Sequence, residues 1–117
     1  MAGWNEVVAV AKALPKVEEA VSYGEPSLKV GRSLLTRYRV ADESLVLLDV
    51  VPEERADLIA AEPDAFFLEP HYEAHPVVLV RLRTIEAERL MPYLTRRWRG
   101  IAPKTLVRRQ ESIDASR

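Results

Sequence analysis

The two histidines of the chain, His71 and His75, stand four residues apart in the segment "EPHYEAHP". Histidines at this spacing bind zinc well when one face of a helix carries both of them. Pro70 and Pro76 flank the pair, and proline disfavours helical geometry at and before its own position. The sequence also has no cysteine and no third histidine to complete a zinc site. The spacing therefore does not predict a metal centre.

An ordered connection between two strands is the better interpretation of this segment. Glu69 and Glu73 add carboxylate oxygens, but not the nitrogen or sulfur ligands that a dedicated zinc site needs. We predict that the Tyr72 ring packs against the protein and that His71 binds backbone groups. The segment then leads into the apolar run "VVLVRL".

Arginines on two predicted strands are a stronger signal for binding. In "LLTRYRV", the alternation of side chains along a strand places Leu35, Arg37 and Arg39 on one face. In "VVLVRLR", the same alternation pairs Arg81 with Arg83. Arginines grouped on an exposed sheet face can bind phosphate or another anion through forked, charge-assisted hydrogen bonds.

Lys29 joins this predicted patch if its strand lies beside the others. The competing interpretation is that these cations are ordinary strand charges, paired with acids such as Asp42, Glu43 or Glu69. The sequence leaves both interpretations open.

The last predicted helix carries another basic run, in which Arg96, Arg97 and Arg99 surround Trp98. A basic run with an aromatic residue can contact a nucleic-acid backbone. Trp98, however, falls on the apolar stripe of this helix with Leu94, so we predict that it lies in the core. Cations near the end of a helix also fit the helix dipole without any ligand.

Motifs of nucleophilic catalysis and phosphate transfer are missing from the sequence. It has no GxSxG, and its four glycines form no phosphate-binding loop. No serine or threonine has a histidine partner that is recognisable from the sequence. We therefore predict a protein that is not an enzyme and that uses no cofactor.

Length and composition predict a single domain. The chain has 117 residues, 48% of them hydrophobic, and a formal net charge of -1, which suits one buried core. We assign residues 1–107 to this domain and residues 108–117 to a polar C-terminal tail. The first residues contain acids and no sustained apolar run, so we expect no signal peptide, no membrane partner and a cytoplasmic location.

Charge is divided unevenly along the chain. Residues 1–78 contain seven Lys/Arg and fourteen acids, whereas residues 79–117 contain ten Lys/Arg and four acids. Such blocks indicate either a basic binding face or two halves that attract each other in the folded protein.

The predicted elements follow the order helix, three strands, short helix, two strands, helix. The first helix has apolar residues at three- and four-residue steps from Trp4 to Leu14. The three strands lie near residues 27–30, 34–40 and 45–50. This order predicts an α+β fold of two layers, with an antiparallel sheet of about five strands covered on one face by the N- and C-terminal helices. The other face is expected to be partly open to solvent.

Prolines mark the other two helices. The short helix begins at Pro52. Its buried stripe is predicted to comprise Ala56, Ile59 and Ala60. The last helix covers roughly residues 86–100, and either it kinks at Pro92 or it begins properly at Met91.

Three separated segments carry a family resemblance: "LPKVEEAVSYGEPSLKVGRSLLTRYR", "FFLEPHYEAHPVVLVRL" and "RRWRGIAPKTL". Together they resemble the bacterial MmcQ/YjbR family, from the first helix to about Leu106. The resemblance implies a frataxin-like (CyaY-like) fold. Pro92 departs from the family pattern, in which the last helix is usually uninterrupted.

The resemblance also implies a function, because members of this family are often labelled DNA-binding. A recurrent proline, histidine and tyrosine at positions 70–72 imply a shaped loop with a ligand-facing role. The hypothesis is a DNA-binding module that contacts the DNA backbone. Its candidate residues for binding DNA or another anionic ligand are Lys29, Arg37, Arg39, His71, Tyr72, Arg81 and Arg83.

Two other classes of function stay open at this point. The open sheet face could serve a non-enzymatic module that binds a small molecule or an acidic protein partner. An enzyme of an unrecognised type is the third class. A monomer is the expected state.

Overall fold

The computed structural model describes residues 2–116, which form a six-stranded sheet and four α-helices. The helices are α1 (Trp4–Ala11), α2 (Pro52–Ala61), α3 (Met91–Ile101) and α4 (Lys104–Ala115). The strands are β1 (Val17–Ser22), β2 (Glu25–Val30), β3 (Ser33–Arg39), β4 (Ser44–Leu48), β5 (Phe66–Phe67) and β6 (Val77–Arg81). Three 3-10 turns cover Pro70–Tyr72, Leu82–Thr84 and Ala87–Leu90.

The sheet is antiparallel throughout, with the order β1-β2-β3-β4-β6-β5. This confirms the predicted α+β fold of two layers. The structure has one strand more than the five expected, because β1 was not predicted. Its glutamates Glu18 and Glu19 are exposed, and an edge strand with charged residues has little of the apolar signal that marks a strand in sequence.

The main core lies between one face of the sheet and the helices α1 and α3. Val7 and Ala11 of α1 are fully buried there, as are Leu94 and Trp98 of α3. Trp98 donates a hydrogen bond from Nε1 to the carbonyl oxygen of Pro15 at 2.9 Å, so its polar atom is satisfied in the interior. Its predicted place in the core is confirmed.

Pro92 does not kink a longer helix. It stands in the first turn of α3, which begins at Met91, and the Ala87–Leu90 segment before it is a 3-10 turn. The missing N–H of proline costs nothing in a first turn, where the N–H groups have no partner inside the helix. The second of the two sequence alternatives is therefore confirmed.

The C-terminal segment and α2 differ in detail from the sequence expectations. The polar segment from residue 108 is largely exposed but helical as far as Ala115, because it continues α4 (Lys104–Ala115), whose Leu106 and Val107 pack partly against the core. In α2 the predicted stripe is right for Ile59, which packs against the core together with Leu58, and wrong for Ala56 and Ala60, which are exposed, while Arg55 is the buried residue.

A β-bulge corrects the predicted faces of β3. Leu28 pairs with Thr36 and the next residue of β2 pairs with Leu34, so Leu35 is one extra residue in its strand. Both Leu35 and Thr36 are buried, and Leu35 belongs to the helix-side core. Strict alternation had placed Leu35 with the arginines, and the bulge moves it to the other face.

The second face of the sheet carries a smaller apolar cluster. Val46, Val77 and Leu79 are buried in it, and Leu48, Phe67 and Tyr72 pack against them. The connection between β5 and β6 contributes Tyr72 to this cluster. The face expected to be open is thus partly covered by residues 68–76.

Candidate functional site

A cavity of about 500 Å³ lies on this second face, and we call it the sheet-face pocket. Its volume falls within the range of small-molecule sites, roughly 300–1,000 Å³. Twelve residues line it: Tyr23, Leu34, Arg37, Val46, Leu48, Asp49, His71, Tyr72, His75, Pro76, Val77 and Arg97. The pocket combines an apolar floor with a polar and aromatic rim.

Adjacent strands supply the floor of the pocket. Val46 of β4 pairs with Arg37 of β3, and Leu48 pairs with Val77 of β6. Side chains of directly paired residues lie on the same face of a sheet. The arginine and the apolar side chains therefore face the pocket together, because the register fixes them there.

Arg55 stabilises the backbone that forms one wall of the pocket. Its side chain is buried, with a residue exposure of 8%. Nη1 donates to the carbonyl oxygens of His75 at 2.8 Å and Val77 at 3.1 Å, and Nη2 donates to that of Glu73 at 3.4 Å. One guanidinium thus ties α2 to the end of the 68–76 connection. No local pattern predicted this role, since an arginine in the first turns of a polar helix is usually solvated.

Arg37 is fixed by two partners at the mouth of the pocket. Its Nη1 lies 2.6 Å from Oε1 of Glu25, and its Nη2 donates to the Tyr72 hydroxyl at 2.7 Å. Glu25 also accepts a hydrogen bond from the backbone N–H of Val40 at 2.9 Å. These contacts place Tyr72 beside the sheet face that carries Arg37.

Arg39 lies on the same sheet face as Arg37, and acids neutralise its charge as well. It forms ion pairs with Asp42 at 3.1 Å and with Glu69, and its guanidinium carbon lies 6.0 Å from the centre of the Tyr72 ring. Its Nη1 is buried without a hydrogen-bond partner among the described residues. The contact with the Tyr72 ring offsets part of that cost.

Lys29, Arg81 and Arg83 do not line the sheet-face pocket. Arg81 nevertheless lies on the same sheet face as Arg39, because both residues pair with Ser44 of β4. Strands β2 and β6 are separated by β3 and β4, so Lys29 is not beside Arg81. Arg81 lies over the Phe67 ring, with 4.1 Å from its guanidinium carbon to the ring centre. The strand ends at Arg81, and Arg83 lies in the following 3-10 turn, where it pairs with Glu43 at 3.0 Å.

Both histidines line the pocket and are exposed to solvent. The His71 ring meets the Tyr72 ring edge-on, with 4.9 Å between ring centres. Within residues 2–116, His71 makes no hydrogen bond to the backbone through its side chain, so that detail of the prediction is wrong. No group of three or more metal-ligating side chains occurs in the same range.

Tyr23, Asp49 and Arg97 line the pocket although the sequence analysis did not assign them to a site there. Tyr23 and Asp49 have left-handed backbone angles, with φ of 54° and 62°, which cost an ordinary residue roughly 1–2 kcal/mol. Arg97 donates from Nε to the carbonyl oxygen of Leu34 at 2.9 Å and from Nη1 to Asp49 at 3.1 Å and 3.3 Å. The local sequence pattern does not reveal the left-handed backbone of Tyr23, nor that Arg97 of a distant helix reaches this pocket.

Ion pairs connect the two halves of the chain. Four arginines of the basic C-terminal half pair with acids of the N-terminal half: Arg83 with Glu43, Arg89 with Glu62, Arg96 with Glu54, and Arg97 with Asp49. The hydrogen bond from Arg96 to Glu54 raises the pKa of Arg96. The interpretation in which the charge blocks attract each other is confirmed for these residues.

A second cavity, which we call the basic groove, has a different character. It has a volume of about 350 Å³ and lies between the β2–β3 turn and the junction of α3 and α4. Lys16 and Arg32 line it, and no acid does among the residues that the structure describes. Neither cation has an ion-pair partner within residues 2–116.

The chain is similar to mycobacterial proteins. It is 34% identical over 121 aligned residues to the uncharacterized proteins Rv2570 and MT2646 of Mycobacterium tuberculosis and Mb2600 of Mycobacterium bovis. The alignments cover 92% of this chain and 94% of each relative. No protein-family model matches the chain, and no solved structure matches it. None of the helices in residues 2–116 has the length and apolarity to span a membrane.

Proposed function

We propose that this chain, which belongs to the family of the mycobacterial proteins Rv2570, MT2646 and Mb2600, is a non-enzymatic module that binds a small molecule in the sheet-face pocket. We also propose that it is a cytoplasmic member of the MmcQ/YjbR type with a CyaY-like fold. The three sequence segments that resemble MmcQ/YjbR support this assignment.

One observation carries the proposal of a ligand pocket. A cavity of about 500 Å³ lies over the apolar residues Val46, Leu48 and Val77, while fixed polar groups surround its mouth. An apolar floor with a few positioned polar groups is typical of small-molecule sites. The contacts of Arg37 also support it, since both of its Nη atoms are already bonded, to Glu25 and to Tyr72, and are not free to bind a phosphate.

Binding can be mapped by recording backbone amide NMR shifts while a library of small organic compounds is added. We expect binders to shift the amide signals of Leu34, Val46, Leu48 and Val77. Leu48→Trp should fill the cavity and abolish those shifts, whereas Leu48→Met conserves volume and should preserve them. The proposal fails if no compound moves these signals, or if both variants bind alike.

DNA binding is the second candidate function, and the basic groove favours it. Lys16 and Arg32 lie there without acids in the lining, so they could neutralise DNA phosphates and release the counterions condensed on the DNA. The arginines first considered for this role are paired with Glu25, Asp42, Glu69 and Glu43. We therefore assign any contact with the DNA backbone to the groove.

The affinity for an unrelated DNA duplex, measured over a series of salt concentrations, tests this candidate. Replacing Lys16 and Arg32 by alanine should reduce the salt slope by about 0.9 for each phosphate that the protein no longer neutralises. The matched double variant with alanine at Arg37 and Arg39 should change the slope less. Absence of retention on DNA at low ionic strength would remove the candidate.

A further inference from the structure

We infer that the ligand of the sheet-face pocket is a planar aromatic monoanion, whose ring is covered by Tyr23 and whose charge is bound by Arg97. The inference rests on the proposed pocket function and specifies its ligand. Two independent features of the rim carry it: a strained and exposed tyrosine, and an arginine whose hydrogen bonds are not all used.

Tyr23 is held in water at the edge of an apolar cavity. The residue is 89% exposed although it lines the pocket. Tyr23 and Gly24 form the two-residue turn between β1 and β2, and both have positive φ, at 54° and 75°. Asparagine is the residue that such a turn favours before glycine. A tyrosine there costs backbone energy and leaves most of its ring exposed to solvent, and a ring stacked on a ligand would offset both costs.

A second ring faces the same mouth. The guanidinium carbon of Arg37 lies 5.4 Å from the centre of the Tyr23 ring, while its Nη2 binds the Tyr72 hydroxyl at 2.7 Å. The two tyrosines come from different connections and meet at one fixed cation. A flat molecule that enters beside Arg37 therefore finds aromatic surface at both edges and the apolar floor beneath. Planar π-systems gain offset or edge contacts from such rings, whereas an alkyl chain does not.

Arg97 supplies a free donor group for a negative charge. Its Nε and Nη1 are occupied by Leu34 and Asp49, but its Nη2 has no hydrogen-bond partner in residues 2–116. The lining contains two arginines, Arg37 and Arg97, against one acid, Asp49. Glu25 and Tyr72 occupy both Nη atoms of Arg37, so Nη2 of Arg97 is the arginine donor that stays available to a ligand. A carboxylate there accepts a charge-assisted hydrogen bond, which is stronger than a neutral one.

Three probes separate the parts of this inference. They are 2-naphthoate, which is planar and anionic, naphthalene-2-methanol, which is planar and neutral, and decanoate, which is anionic and aliphatic. Dissociation constants are measured by amide NMR titration of the full chain. We expect 2-naphthoate to bind about tenfold more tightly than either of the others. Equal binding of naphthalene-2-methanol would overturn the anionic part, and equal binding of decanoate would overturn the planar part.

Variants at Tyr23 separate ligand contact from turn structure. Tyr23→Asn should leave the free energy of unfolding unchanged or raise it, because asparagine suits the turn, yet weaken 2-naphthoate binding about tenfold. Tyr23→Phe should bind within about twofold to threefold of the native chain, because it keeps the ring. Unchanged affinity in Tyr23→Asn would overturn the inference.

The proposed small-molecule function of the pocket can be tested separately from this inference about its ligand. If none of the three probes binds, the planar monoanion is excluded as the ligand. The library experiment with Leu48→Trp and Leu48→Met then decides the pocket function separately, because it does not depend on the chemistry of these probes.

Discussion

The cations of the sheet-face pocket are paired with acids, whereas, within residues 2–116, the cations of the basic groove are not. In the pocket, Arg37 and Arg97 are each held by a carboxylate and by a further polar group. In the groove, Lys16 and Arg32 have no acid in the lining among the described residues. A fixed guanidinium shapes a cavity and orients a ligand, whereas an unpaired cation attracts any polyanion. The ion-pair partners of the basic residues at a site therefore indicate its function better than the number of those residues does.

The largest difference between the two regions is expected in the free energy of unfolding, when one arginine in each region is replaced by methionine. Arg55→Met should lower the free energy of unfolding by about 2–4 kcal/mol, because it leaves three carbonyl oxygens of the pocket wall without their charged donor. Arg32→Met in the groove should change it by less than about 0.5 kcal/mol. Urea unfolding measures both values, and equal losses would break the distinction.

A smaller effect is expected within the pocket, from the contact between Arg37 and Tyr72. A double-mutant cycle with Arg37→Met and Tyr72→Phe should give a coupling of about 1 kcal/mol, since each substitution removes the same hydrogen bond. Lys16→Met combined with Arg32→Met should be additive, because two like charges form no bond that either substitution could remove. Additivity in the pocket pair would show that Arg37 is not fixed by Tyr72.

The smallest change in the free energy of unfolding is expected at Lys16, and it is a gain in stability rather than a loss. Lys16 has a left-handed backbone with φ of 62°, a conformation that asparagine accepts more readily. Lys16→Asn should therefore raise the free energy of unfolding by up to about 0.5 kcal/mol, despite the loss of a charge. Thermal or urea unfolding at low salt measures it. A loss of stability would mean that the lysine charge contributes to folding in the groove.

Much of the fold could be predicted from local pattern. The apolar periodicity of α1, the three central strands and the proline at the start of α2 all reflect interactions within short segments, and the structure confirms them. The errors arise where distant residues decide the outcome. The bulge at Leu35 depends on pairing with β2, and α4 depends partly on packing of Leu106 and Val107.

The site was predicted less completely than the fold. His71, Tyr72 and Arg37 do line one pocket, and the resemblance to the MmcQ/YjbR family pointed to the loop that carries the first two. Arg55 and Arg97 reach the pocket from helices, and their partners are 18 to 63 residues away along the chain. Such contacts follow from tertiary packing, so no spacing rule could have found them.

The place of β1 at the edge of the sheet has a consequence for behaviour in concentrated solution. An edge strand presents unpaired backbone groups that can template association with another chain. Glu18 and Glu19 are exposed along this strand, and Glu19 is paired with Lys12 at 3.2 Å. Two copies approaching edge to edge would have to bring the charged Glu18 side chains together, which disfavours pairing of their β1 strands.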